Sequence, residues 1–141
     1  MAVRALRGAT TVDRDDVDEV KKRAGELLEG LLDRNDIQAD DLISIFFTTT
    51  ADISSIAPAA GIRALGYTDV PLLCVGEMPT EGGLARCIRL MVHVETERPR
   101  SAMRHLFLRG AVVLRPDLVD DNDDDGDVDP SEGGQPKDTT S

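Results

Sequence analysis

The spacing of apolar positions changes period several times along this chain, and each change marks an element. From Ala2 to Val12 the pattern predicts a strand, with Val3, Ala5, Arg7 and Ala9 on one face because strand side chains alternate. Asp13 to Asp16 are N-cap candidates. After them Val17, Val20, Ala24, Leu27, Leu28, Leu31 and Leu32 recur at helical spacing, an amphipathic helix ending near Asn35. Its other face, with Asp18, Glu19, Lys21, Lys22, Arg23 and Glu26, reads as solvated. Leu42 to Thr49 is a short apolar run of β formers, hence a buried strand. Pro58 suits the first turn of a second helix, which runs through Ile62 and Leu65 and stops at Gly66. Val70 to Val75 reads as a third strand, Gly76 to Gly83 as a loop, and Cys87 to Thr96 as a longer strand. Pro99 to Arg104 is a turn or short helix. His105 to Leu108 and Ala111 to Leu114 read as extended, with a break at Gly110.

The order β-α-β-α-β followed by β-rich sequence predicts an α/β (α+β) domain, a mixed sheet with crossover helices. It should occupy residues 1–119. Apolar residues nearly cease after Leu118, so residues 120–141 read as an acidic disordered tail. Two arginines break the strand pattern. Arg89 stands inside Cys87-Ile88-Arg89-Leu90-Met91-Val92, and Arg7 interrupts the first strand. A guanidinium is costly to strip of water unless it is paired. Two of them projecting from strands suggest a polar cavity for a small polyanion.

Charge narrows the field. Of the net −11, the segment from Asp120 to Ser141 supplies −8, so residues 1–119 are nearly balanced at −3. Such a balance, with three Phe, one Tyr and no Trp, argues against a nucleic-acid partner, which would need cations and stacking rings. No apolar run reaches the length of a membrane span, and no signal-peptide core follows the N-terminus, so a cytoplasmic protein is expected. Cys74 and Cys87 fall in apolar segments and read as buried thiols.

The motifs are sparse. Asp121, Asp123, Asp125, Gly126 and Glu132 match a calcium-loop pattern, but Pro116 and Gly133-Gly134-Gln135-Pro136 deny it the flanking helices, Pro130 falls within the loop, and low-complexity acid produces such matches by chance. Gly82-Gly83 lacks the ending of a phosphate loop. His93 and His105 have no partners at metal-ligand spacing, and structural roles are expected for both. No nucleophile elbow surrounds any serine. This lack of an acid/base or nucleophile set admits a reaction that needs none.

Four blocks carry a resemblance. Arg7-Gly8-Ala9-Thr10-Thr11-Val12, Cys74-Val75-Gly76-Glu77-Met78, Gly82 to Arg89, and Val113-Leu114-Arg115-Pro116-Asp117-Leu118 occur in order, and the chain resembles the AroH-class monofunctional chorismate mutases from about Val3 to Leu118. The resemblance implies a Bacillus chorismate mutase-like fold, assembled as a homotrimeric pseudo-barrel with active sites between subunits. It implies rearrangement of chorismate to prephenate, on the path to phenylalanine and tyrosine, with no cofactor and no metal.

By the same resemblance Arg89 donates to the ether oxygen of the substrate, Arg7 grips a carboxylate, and Glu77 accepts from the ring hydroxyl. Cys74 touches that end of the substrate. Arg63 and Arg115 are peripheral arginines at the mouth, and Leu114 and Phe107 are walls. The family often has tyrosine where Phe107 stands, a bulky apolar residue at Ala57 and lysine at Ala60. One lost hydroxyl donor, worth roughly 0.5–1.5 kcal/mol, and a less cationic entrance imply a raised Michaelis constant. Two other readings compete: a non-catalytic trimer that binds small carboxylates as a regulator, and a calcium-responsive interaction protein working through the tail.

Overall fold

A computed structural model describes residues 1–114. Arg115, the calcium-like pattern and the acidic tail lie outside the described residues. In chain order the elements are β1 (Ala2–Thr11), α1 (Val17–Asn35), β2 (Leu42–Thr49), α2 (Ala59–Ala64), β3 (Leu72–Gly76), β4 (Cys87–Thr96) and β5 (Leu106–Phe107), with 3₁₀ segments at Ala39–Asp41, Arg100–Ala102 and Arg109–Leu114.

Local chemistry sets the helix boundaries. Asp16 accepts a hydrogen bond from the Glu19 amide at 3.1 Å, capping α1. Asp18 and Glu19 sit at its positive end and Arg34 at its negative end. Asp36 ends the helix in the left-handed region at φ 58°.

The five strands form one mixed sheet in the order β3-β2-β4-β1-β5. β4 lies between β1 and β2 and runs antiparallel to both. β3 is parallel to β2, and β5 is parallel to β1. Ile43 is an extra residue in β2, where the register with β4 shifts between Leu42 and Ser44.

Alternation along the strands gives the sheet two unlike faces. Leu6, Ile45, Phe47, Ile88, Leu90, Val92 and Val94 point to one side and bury against Val20, Ala24, Leu27, Leu28 and Leu31 of α1. Each fully buried Leu or Ile there contributes about 1.5–3 kcal/mol. Gly8 lets the layers approach, since a Cβ on it would lie 3.2 Å from both Leu27 and the Leu106 carbonyl. The opposite face carries no α-helix among the described residues, and Val3, Phe46, Leu73 and Val75 are exposed there at 55, 38, 53 and 45%.

The extended reading of Ala111 to Leu114 is corrected: these residues belong to the 3₁₀ segment Arg109–Leu114. Arg109 takes a left-handed φ of 51°, and the Ala111 amide bonds back to the Leu108 carbonyl at 3.0 Å. Ala111 then buries with Ala9 and Phe107 in a small second cluster that Leu84 and Leu114 flank. Docking against β1 overrides the local alternation. No helix among the described residues is long and apolar enough to cross a membrane.

Candidate active site

The register of β1 and β4 decides where the two strand arginines go. Arg7 lies opposite Met91 and Ala9 opposite Arg89, so Arg7 and Arg89 stand diagonally on the same, helix-free face. On the other side of β4, Thr48 lies opposite Arg89. β3 ends with Gly76 beside Thr49, and the Glu77 amide continues the ladder by donating to the Thr49 carbonyl at 2.8 Å. Glu77 therefore leaves the sheet edge next to Arg89.

The side chains close a charged network there. Arg89 Nε donates to Glu77 Oε1 at 3.0 Å, and a terminal nitrogen of Arg89 lies 2.9 Å from Oε2. Planar fork and carboxylate thus meet through two contacts. Thr48 Oγ1 donates to Glu77 Oε1 at 3.3 Å. The Arg89 and Glu77 side chains are 30 and 18% exposed, a partly buried pair that still opens to solvent. They line a cavity of about 570 Å³ with Arg7, Phe46, Thr48, Val75 and Met78, among others. Two guanidiniums against one carboxylate make the lining cationic, and Phe46, Val75 and the methionines give it apolar walls. Such a groove suits a small anion with an apolar body.

Neighbouring groups tie the end of β2 to the start of β4. Thr50 Oγ1 accepts from the Cys87 amide at 2.9 Å, and Asp52 accepts from the Arg86 amide at 2.9 and 3.1 Å. Desolvation on its own raises the pKa of Asp52, but the bonds from Thr50 and from the Arg86 and Asp52 amides, with the Arg86 charge, outweigh it, and the carboxyl lies below its ordinary value. Asp15 binds the Ser54 and Ser55 amides at 3.0 Å each, and these bonds lower its pKa too. Cys87 is buried, and burial pushes its thiol up to about 11 against the pull of the Arg89 charge. A thiol so raised stays protonated at neutral pH and is a poor nucleophile.

Three of the predicted residues, Arg7, Glu77 and Arg89, thus line one groove. The other predicted residues that are described lie elsewhere in the single chain. Cys74 packs from the helix-covered side against the main core. Arg63 is exposed on α2. Phe107 is 1% exposed in the second cluster, and Leu114 flanks it. Arg115 lies outside the described residues. Sequence reading passed over Thr48, Val75 and Met91. Alternation carried a usable signal for Val75 and Met91, which stand two residues from Glu77 and Arg89. For Thr48 the signal was pairing across strands, which one sequence does not display.

Comparison with known proteins shows the family and the fold. The family model for chorismate mutase type I matches residues 3–118. The chain is 40% identical over 119 residues to a protein of Bacillus subtilis named chorismate mutase AroH, covering 84% of this chain and 94% of the relative. It is 42% identical over 117 residues to the Thermus thermophilus protein of the same name, covering 82% of this chain and 96% of that one. A solved chorismate mutase from Clostridium thermocellum superposes with a TM-score of 0.76 at 39% identity, covering 77% of this chain and 97% of the other. Nothing in these comparisons supports a non-catalytic regulator or a calcium-responsive protein. Matched from Val3 to Leu118, in sequence and in sheet architecture, the chain belongs to the type I chorismate mutase family.

Proposed function

We propose that this chain catalyses the Claisen rearrangement of chorismate to prephenate, as a cytoplasmic homotrimer with its sites at subunit boundaries. The observation that carries the reading is the cluster of Arg7, Arg89 and Glu77 on one open sheet face, with Glu77 braced by Arg89 and Thr48. In the reaction one carbon–oxygen bond breaks while one carbon–carbon bond forms, and no proton or acyl group passes to the enzyme. The protein has two tasks: to hold the compact reactive conformer, and to meet the charge that develops on the ether oxygen.

Arg7 binds a carboxylate through its fork. Arg89 presents to the ether oxygen the donors not engaged by Glu77, and they stabilise the oxygen more as the bond breaks. Glu77 accepts from the ring hydroxyl. Its pairing with Arg89 holds both groups before substrate arrives, so little reorganisation accompanies the chemistry. A homotrimer would cover the exposed apolar face formed by Val3, Phe46, Leu73 and Val75.

The test is the loss of chorismate absorbance on adding purified protein. Removing one donor aimed at a developing oxyanion costs about 100- to 1000-fold in turnover. Arg89→Ala is expected to fall in that range while staying folded, and near-normal turnover in that variant would sink the assigned role.

A further inference from the structure

We infer that His105 is a positioning residue for Arg7: its imidazole Nδ1 accepts the Arg7 backbone amide and sets where the Arg7 side chain leaves β1. The inference rests on the reading of Arg7 as a substrate contact proposed above.

The Arg7 amide donates to His105 Nδ1 at 3.0 Å. Why a side chain is needed follows from the length of β5. Its parallel pairing with β1 covers only Gly8–Leu106 and Ala9–Phe107. It is extended on one side by the Leu108 amide donating to the Ala9 carbonyl at 2.9 Å. One residue earlier the chain has not yet joined the ladder, and the imidazole acts where a strand carbonyl otherwise would. A partly buried amide without an acceptor is costly, and β1 would shift to find one.

The imidazole is itself held from behind. Asn35, fully buried at the end of α1, donates to the Arg104 carbonyl at 2.8 Å and accepts from the Arg104 amide at 2.7 Å. Its own carbonyl accepts from the Arg98 guanidinium. The residue before His105 is thus clamped to α1, and His105 passes that fixed position on to the strand bearing Arg7. Accepting at Nδ1 requires the tautomer with its proton on Nε2.

Asparagine places an oxygen where Nδ1 stands, and glutamine places its polar atoms one bond further out. His105→Asn is expected to keep the Michaelis constant within about twofold of the parent, while His105→Gln and His105→Ala raise it about fivefold or more with turnover little changed, the sign of lost uniform binding. A merely structural role predicts the opposite: fewer active molecules, lower apparent turnover and an unchanged Michaelis constant. If His105→Ala does not fold, the Asn and Gln pair decides. Nitrogen NMR of the parent should show an unprotonated Nδ1 and a scalar coupling to the Arg7 amide nitrogen; a protonated Nδ1 overturns the inference. Arg7→Ala is the control. An unchanged Michaelis constant in Arg7→Ala overturns the reading of Arg7 and this inference with it. A raised constant there, beside an unchanged one in His105→Gln, overturns the inference alone.

Discussion

Thr48 contributes one hydroxyl to the groove, and among the described residues its 3.3 Å bond shares Glu77 Oε1 with Arg89. Thr48→Val keeps the shape and removes the donor. At about 1 kcal/mol for a hydrogen bond, catalytic efficiency should fall roughly fivefold, and an unchanged value would show that Arg89 alone fixes the carboxylate. Asp52 makes a pH-dependent claim. Its carboxyl is lowered in the folded chain from an ordinary 3.8, so the stability it lends is present above that value and is lost as pH falls through the folded value. The protection factor of the Arg86 amide, its exchange rate relative to the unfolded chain at the same pH, should therefore fall as pH drops below about 4 in the parent, and in Asp52→Asn this acid-dependent step should vanish.

Contact between the two helices is the element most sensitive to one methyl group. A Cβ on Gly61 would lie 2.3 Å from the Lys21 carbonyl oxygen, a backbone atom that cannot swing aside. Gly61→Ala must push α2 from α1 and should cost about 1–3 kcal/mol of stability in a thermal melt. Because α2 also carries Arg63, this variant tests whether that arginine matters: a changed Michaelis constant in the folded fraction would say that it does. Asp16→Ala is the contrast, since losing the α1 cap should cost about 1 kcal/mol and leave kinetics alone. The helices themselves were legible from the sequence. Apolar spacing found α1, and Pro58 and Gly66 bracketed α2. The 3₁₀ segment Arg109–Leu114 was not legible, because its turn comes from the left-handed backbone at Arg109 and from the burial of Ala111 on β1.

For the whole molecule, the sheet face without helices sets the expectations. Phe46 stands on it as a wall of the groove, 38% exposed. If copies of the chain pack through this face as proposed, the parent should sediment as a trimer, and Phe46→Asp should shift it toward the monomer and abolish turnover. An unaltered association state in that variant would move the interface elsewhere. Deleting Asp120 to Ser141 removes most of the net negative charge and no predicted core residue. Its melting temperature should stay within about 2 °C of the parent, since surface changes usually amount to under 0.5 kcal/mol. A large drop would bring the acidic segment into the folded domain.

Alternation and helical period are local properties, imposed by the backbone repeat and by what water excludes. The sequence by itself therefore determined the main strands, both helices and the anomaly of two arginines in apolar runs. Four short blocks then carried a family likeness that pointed to Glu77 as an acceptor for the substrate's ring hydroxyl. Proximity between strands remote in the chain is different in kind. It depends on which edges pair and in which register, and one residue of slip would send Arg89 to the core side. Only the tertiary structure placed β4 between β1 and β2 and brought Arg7, Thr48 and Glu77 around Arg89. It also seated His105 against the Arg7 amide, 98 residues away along the chain.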